Sequence, residues 1–190
     1  MDKVYVTMGA SNHSLQEREK DDFYATDPTT IDDLLKVETF CKNIWECAVG
    51  GGHLALRLAN YGYTVKCSDI VDRGCPNTEI IDFLKDKYFF DGDIITNPPY
   101  RHCAEFILKA LDSIPGGHKV AMLLKLQTLE GQQRYEKIYS KYPPKVIYVY
   151  SKRKTCAKNG DFEKCPPSAM CYAWYVWVKG DYGRTELRWI

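Results

Sequence analysis

The sequence lacks several features that would place it in a specialised class of protein. It has no uninterrupted apolar stretch of membrane-spanning length, and its first residues do not form a signal-peptide pattern. No internal repeat, low-complexity tract or domain linker is evident in the 190 residues. These absences argue against a membrane-spanning protein and a repeat array. They predict a single domain over 1–190, without a membrane partner, in the cytoplasm.

Cysteine pairs at metal-binding spacing are also missing. None of the eight cysteines forms a Cys-x-x-Cys pair, which argues against a zinc ribbon and a small disulfide scaffold. Cys47 and Cys67 fall in predicted buried strands, where a free thiol packs as a small hydrophobic group. Cys156, Cys165 and Cys171 lie closer together in a predicted loop, where a metal site or a disulfide is an alternative. We predict reduced thiols and no metal.

An excess of charge of one sign is missing overall but present in each half of the chain. The formal net charge is +1, yet residues 1–100 carry 10 Lys and Arg against 17 Asp and Glu, while residues 101–190 carry 16 against 8. A basic second half suits a polyanionic substrate. Two solvated faces of opposite charge would produce the same division, so the pattern alone favours nucleic acid only modestly.

The hydrophobic pattern predicts alternating strands and helices, which is typical of an α/β domain. Residues 1–21 are predicted to form an exposed arm, and 151–170 a substrate-side loop, since long loops are uncommon in compact domains unless they are functional. Helices are predicted to begin near Pro28, His53, Cys103 and Glu130. Strands are predicted at 44–49, 63–69, 80–84, 94–96, 119–126, 145–150 and 171–178.

The strongest chemical signal is the stretch Asp91–Tyr100, which reads DGDIITNPPY. Ile94–Thr96 are β-branched and predict a strand that must end before the two prolines, which places Asn97 where open α/β sheets bind ligands. The Asn97 amide oxygen and the Pro98 carbonyl can each accept a hydrogen bond from one planar amino group, and Tyr100 offers a ring for stacking. For an isolated tetrapeptide, a proline-rich turn in which Asn97 caps the next helix is the alternative.

A glycine loop at 50–52 is the second signal. It lies between a predicted strand and a predicted helix, and glycine permits positive φ and close approach of the backbone to a ligand. Asp69 ends the next strand, at about the separation that a dinucleotide-type βαβ unit requires for binding ribose hydroxyls. Asp82 and Phe83 end a further short strand. For these two residues, a helix cap and a core position are the alternatives.

Taken in this order, the segment Glu46–Gly52, Asp69 and the NPPY sequence at 97–100 resemble class I S-adenosylmethionine-dependent methyltransferases, specifically amino-methyltransferases. Phe23–Pro28 (FYATDP) resembles the amino-terminal motif of adenine-specific DNA methyltransferases of the gamma order, and 22–190 resembles phage- and prophage-type enzymes of that kind. The NPPY sequence is the most specific part. The expected fold is a three-layer αβα sandwich, Rossmann-like, with a mainly parallel seven-stranded sheet whose last strand is antiparallel.

The resemblance implies a role for each matching residue, with S-adenosyl-L-methionine as the cofactor. In these roles the glycine loop and Glu46 border the methionine part of the cofactor, and Asp69 accepts from its ribose. The implied cofactor-binding residues are Phe23, Tyr24, Thr26, Glu46, Gly50, Gly52, Asp69, Asp82, Phe83 and Asn97. The implied catalytic residues are Asn97, Pro98, Pro99 and Tyr100, which hold and stack the target. No metal is required, because the sulfonium methyl is already activated.

The implied reaction is methyl transfer to an exocyclic amino group, with the 6-amino group of adenine in DNA favoured over RNA. The same grip fits the 4-amino group of cytosine, RNA adenines and glutamine side-chain amides in protein. A catalytically silent derivative that binds the cofactor or DNA is a further alternative. Because no separate recognition domain is evident, DNA contact is expected from basic residues of the 151–170 loop. These are Lys152, Arg153, Lys154 and Lys158.

Overall fold

The computed structural model describes residues 25–154, 156–157 and 170–190. A two-residue strand β1 (Ala25–Thr26) opens the described chain. The following strands are β2 (Asn43–Glu46), β3 (Thr64–Asp69), β4 (Glu79–Ile80), β5 (Asp93–Thr96), β6 (Lys119–Lys125), β7 (Val146–Val149), β8 (Cys156–Ala157), β9 (Tyr172–Val178) and β10 (Glu186–Trp189). The helices are α1 (Thr29–Val37), α2 (His53–Asn60), α3 (Cys103–Ser113) and the short α4 (Gln132–Arg134), which continues as a π-helical turn over Tyr135–Tyr139.

Eight of these strands form one sheet in the order β10-β7-β9-β6-β5-β2-β3-β4, and β1 pairs with β8 in a separate two-stranded sheet. All neighbours in the large sheet are parallel except the two pairs that include β9, which is antiparallel to both β6 and β7. The expectation of a mainly parallel, Rossmann-like sheet is confirmed, and so is the antiparallel direction of the strand predicted at 171–178.

Two details of the predicted sheet are wrong. The sheet has eight strands rather than seven, because β10 follows β9 and runs parallel to β7, so the antiparallel strand is not the last. All four residues of β10 are exposed at the sheet edge, and no buried apolar run marks them in the sequence. The strand predicted at 80–84 ends at Ile80, because Asp82 Oδ1 accepts the backbone N–H groups of Leu84 and Lys85 and closes a turn.

The three-layer arrangement follows from alternation along the strands. In β2 and β5, Ile44 and Ile95 pack with apolar residues of α1 and α2, whereas Trp45 and Ile94 pack with apolar residues of α3. Successive side chains of a strand point to opposite faces of the sheet, so each central strand is covered on both sides. No helix in the described part of the chain is long and apolar enough to cross a membrane.

Gly52 holds the turn between β2 and α2 and gives a first testable prediction. Its φ is +84°, and a Cβ at this position would lie 2.7 Å from Cys75 Sγ. Gly52→Ala is therefore expected to lower the free energy of unfolding by about 1–3 kcal/mol, through backbone strain and overpacking. Gly116→Ala is the matched control, since a Cβ there meets nothing within 4 Å. Equal unfolding free energies for the two variants in chemical denaturation would contradict this packing.

Candidate active site

A cavity of about 340 Å³ opens at the carboxyl ends of β2, β3 and β5, the edge of the sheet where parallel α/β folds place ligands. Gly52 is not among the lining residues, and Phe23 and Tyr24 lie outside the described residues. The remaining residues that we assigned to catalysis and cofactor binding meet in this one cavity. They are Thr26, Glu46, Gly50, Asp69, Asp82, Phe83, Asn97, Pro98, Pro99 and Tyr100.

The side chain of Asn97 is only half satisfied. Its Nδ2 donates a hydrogen bond of 2.7 Å to Thr26 Oγ1, whereas its Oδ1 is buried and has no hydrogen-bond partner among the described residues. An unpaired buried acceptor costs about 1–3 kcal/mol, so such an atom in a cavity calls for a specific explanation. Asn97 also lines the cavity, so this amide lies beside the space that a ligand would occupy.

Asn97 does not serve as the helix cap that the alternative interpretation requires. Helix α3 begins at Cys103, and the residue at its N-cap is His102, with no side-chain cap bond. Between them, the Pro99 carbonyl accepts the backbone N–H of His102 at 2.9 Å, and 100–102 form a short 3₁₀ turn. The two prolines therefore fix Asn97 at the strand end, and its amide faces the cavity wall rather than the helix terminus.

The Tyr100 ring already has two close neighbours. Lys125 Nζ lies 4.5 Å from the ring centroid, in cation–π geometry, and the Tyr172 ring lies 5.9 Å away at an interplanar angle of 32°. Lys125 is the last residue of β6 and its side chain is flexible, whereas Tyr172 is buried. Stacking of a planar ligand on Tyr100 therefore requires the Lys125 ammonium to move away from the ring.

Glu46 brings a buried carboxyl group into the cavity. It is 1% exposed, its Oε1 accepts the backbone N–H of Ala48 at 3.2 Å, and no basic side chain in the described ranges forms an ion pair with it. Burial, together with the negative charge of Asp69, raises the pKa of Glu46 to about 8. A cationic ligand group placed beside this carboxyl would restore its charged form.

Asp69 holds the glycine loop from the end of β3. Its Oδ2 accepts the backbone N–H of Gly50 at 2.8 Å, and its Oδ1 accepts that of Val71 at 3.3 Å. The φ of Gly50 is +52°, a conformation that glycine adopts at low cost. Each carboxylate oxygen can accept more than one hydrogen bond, so Asp69 can brace the loop and still bind a hydroxyl.

Asp82 closes a turn rather than capping a helix, Phe83 is a core residue, and both also line the cavity. The hydrogen bond and charge of Lys85, whose Nζ lies 2.9 Å from Asp82 Oδ2, lower the pKa of Asp82. The Phe83 ring is 3% exposed and packs at centroid distances of 5.2 Å from Trp45 and 5.1 Å from Phe106. The Asp82 carboxyl is thus ionised at the cavity wall, and the Phe83 ring is held rigidly there.

Several lining residues did not emerge from the sequence. Ile70 directly follows Asp69, and Arg101 and His102 directly follow Tyr100. Their position next to predicted site residues could have marked them as lining residues. Arg73 and Lys85 come from the loops after β3 and β4, and nothing in the pattern marks them. The cavity, which carboxyl groups also line, thus gains four basic side chains, Arg73, Lys85, Arg101 and His102.

The basic residues assigned to nucleic-acid contact do not line the cavity. Lys152 and Arg153 are exposed after β7. Lys154 Nζ lies 2.6 Å from an Asp33 carboxylate oxygen and donates to Thr29 Oγ1, so this lysine is tied to α1. Lys158 lies outside the described residues. Of the four, Lys152 and Arg153 are exposed, Lys154 is held against α1, and Lys158 has no described position.

One cluster of metal-ligand type occurs within the described ranges, at the opposite end of the sheet. Ligand atoms of Cys41, Asp93 and His118 lie within 4.8 Å of one another. Asp93 Oδ1 already accepts the Lys119 backbone N–H and contacts His118 Nδ1 at 2.9 Å, while its Oδ2 accepts the Cys41 backbone N–H. These hydrogen bonds hold the starts of neighbouring strands together, which explains the cluster without a metal.

The six cysteines with described side chains are all free thiols.

Comparison with known proteins gives likeness of structure rather than of sequence. No protein-family model matches the chain, and no curated protein matches it in sequence. A candidate class I S-adenosylmethionine-dependent methyltransferase from Listeria monocytogenes is similar with a TM-score of 0.63 at 15% identity, over 98% of this chain and 71% of that one.

Two further solved structures differ in the kind of methyltransferase they represent. The type I restriction-modification methyltransferase subunit of Streptococcus thermophilus has a TM-score of 0.58 at 14% identity, over 83% of this chain and 45% of that one. A SAM-dependent O-methyltransferase from Thermotoga maritima has a TM-score of 0.55 at 14% identity, over 83% and 66%. At such identities the likeness establishes the fold, and this chain has the fold of the class I S-adenosylmethionine-dependent methyltransferases.

Proposed function

We propose that this protein is an S-adenosylmethionine-dependent methyltransferase that acts on an exocyclic amino group, with the 6-amino group of adenine in DNA as the favoured acceptor. The observation that carries the proposal is the side chain of Asn97, which lines the cavity and whose buried Oδ1 has no hydrogen-bond partner among the described residues. An amide oxygen at that point can accept one amine hydrogen. A carbon acceptor offers it no donor, and a hydroxyl acceptor offers only one hydrogen, which leaves none for a second acceptor.

The residues around Asn97 supply the rest of the acceptor grip in this proposal. The Pro98 carbonyl accepts the second amine hydrogen, so that the nitrogen lone pair is drawn out of conjugation and aimed along one direction. Tyr100 supports the ring that carries the amine once Lys125 has moved aside. When bound, the cofactor supplies an activated methyl group, and the protein contributes mainly position and orientation.

The cavity suits the proposed cofactor in three places. Glu46, which is buried and has no basic partner within the described part of the chain, fits the ammonium group of the methionine part. Asp69 fits the ribose hydroxyls, because its oxygens keep acceptor capacity beyond the glycine loop. Asp82 and Phe83 border the remaining wall, where an ionised carboxylate and an aromatic ring suit an adenine. The cavity volume is within the range of small-molecule sites.

DNA is the favoured substrate because the second half of the chain is basic and because one similar structure is a subunit of a restriction-modification system.

In this proposal, Lys152 contacts phosphate from its exposed position after β7. Lys152→Ala is therefore expected to reduce the slope of log affinity against log salt by about 0.9, while cofactor affinity is unchanged. Lys87→Ala, which also removes one exposed lysine, is the matched control. Equal salt slopes in fluorescence-anisotropy titrations of the two variants would contradict the assignment.

The test of the proposed function is transfer of labelled methyl from S-adenosylmethionine to separate pools of unmethylated duplex DNA, single-stranded DNA, RNA and protein. We expect label in DNA. Label only in RNA or in protein would keep the amine chemistry and replace the substrate. Cofactor binding without label in any pool would contradict catalysis and favour a silent cofactor-binding derivative.

A further inference from the structure

We propose that Thr26 is a positioning residue that fixes the orientation of the Asn97 amide, a role different from the cofactor contact expected from its motif. The inference rests on the proposed function, since it concerns how the acceptor amine is held. Its basis is the 2.7 Å hydrogen bond from Asn97 Nδ2 to Thr26 Oγ1, which uses the nitrogen end of an amide that lines the cavity, while the buried Oδ1 has no partner in the described ranges.

The orientation matters because the two ends of an amide are similar in size and opposite in hydrogen bonding. With Nδ2 on Thr26, the atom left in the cavity is an acceptor, which complements an amine hydrogen. In the reversed orientation, the Thr26 hydroxyl would donate to Oδ1, and Nδ2 with its two hydrogens would be the buried group without an acceptor. Amide hydrogens facing the acceptor site would repel the hydrogens of the acceptor amine, whereas the amide oxygen accepts one of them.

Thr26 is itself well fixed. It is 5% exposed and lies in β1, where it pairs with Cys156 of β8 in an antiparallel bridge. Its β-branched side chain has restricted χ1 freedom. The hydroxyl reaches a residue 71 positions later in the chain, so the contact exists only when β1 is folded against the end of β5. The amino-terminal motif and the catalytic motif therefore meet through this bond.

The experiment compares Thr26→Val with Thr26→Ser. Valine keeps the branched shape and loses the hydroxyl, whereas serine keeps the hydroxyl and loses a methyl group. We expect Thr26→Val to lower kcat about tenfold or more, with cofactor Kd within about threefold of wild type. Thr26→Ser is expected to recover most of the kcat. Thermal unfolding of both variants without ligand checks that the fold is intact.

Each contrary outcome has a separate meaning. If Thr26→Val weakens cofactor binding and leaves kcat unchanged, Thr26 is a cofactor ligand and the positioning role is wrong. If Thr26→Ser is as impaired as Thr26→Val, the shape of the side chain matters rather than its hydroxyl, and the role is again wrong. If the wild-type protein transfers methyl and Thr26→Val has the same kcat, this inference alone is wrong. A wild-type protein that transfers no methyl to any amine acceptor overturns the proposed function as well.

Discussion

Asn97→Ala should lower kcat for methyl transfer by about 10²- to 10³-fold or more, because it removes the acceptor that orients the amine at the moment of reaction. The cofactor should bind with a Kd within about threefold of wild type, since Glu46, Asp69 and the glycine loop are untouched. The stability should change by no more than about 1 kcal/mol. The lost bond to Thr26 is offset by removal of the buried oxygen, for which the described residues provide no partner.

Asn60→Ala is the matched control for this variant, because Asn60 is exposed at the end of α2 and does not line the cavity. Methyl transfer and cofactor binding are measured on the same preparations of both variants. Undiminished turnover in Asn97→Ala would contradict the acceptor grip. Loss of cofactor binding in parallel with turnover would show instead that Asn97 acts through the cofactor site.

Two properties of the wild-type protein should depend on pH, and Glu46→Gln should remove both dependences. The first is stability without ligand. The pKa of Glu46 is raised from 4.5 to about 8 in the folded protein, so the free energy of unfolding should fall as pH rises through this window. Each pKa unit corresponds to about 1.4 kcal/mol, and Glu46→Gln should therefore be more stable than wild type by a few kcal/mol at pH 8 and above.

The second property is cofactor affinity, which should change in the opposite direction. A ligand ammonium favours the ionised carboxylate, so binding at pH 6 to 7 releases the proton of Glu46. Affinity should then rise about tenfold per pH unit in that range. At pH 8, Glu46→Gln should bind the cofactor about 10- to 100-fold more weakly, because a charged hydrogen bond is lost.

Asp82→Asn serves as the control for the effect of pH on stability. The pKa of Asp82 is lowered, so its contribution is present at neutral pH and is lost as the solution is acidified, the opposite of Glu46. Unfolding free energies and calorimetric cofactor affinities at several pH values test both properties. A flat pH profile in wild type, or an unchanged profile in Glu46→Gln, would contradict the assignment.

The parts of the site that sequence predicted are those in which the chemistry is local in the chain. Asn97, Pro98 and Tyr100 are contiguous, and the prolines alone dictate that the strand ends there. Gly50 and Asp69 follow successive strands, and parallel strands bring their carboxyl ends to the same edge. That these residues line one cavity could therefore be expected from spacing and sheet geometry.

The parts that sequence could not supply depend on contacts distant in the chain or on exposed backbone. The bond between Thr26 and Asn97 and the position of Lys125 over Tyr100 arise only from folding, since no local pattern connects these residues. Strand β10 is held by backbone pairing to β7 with its side chains exposed, so hydrophobic alternation does not reveal it. Asp82 illustrates a third case, in which a side-chain bond to the backbone ends a strand early.

The most direct test of the central claim is the chemical identity of the methylated product. Unmethylated duplex DNA is incubated with the protein and S-adenosylmethionine, digested to nucleosides and analysed by mass spectrometry against standards. The account predicts N6-methyladenine, and N4-methylcytosine would keep the amine chemistry while replacing the base. A methyl group on carbon 5 of cytosine or on an oxygen would contradict the claim that Asn97 grips an amine.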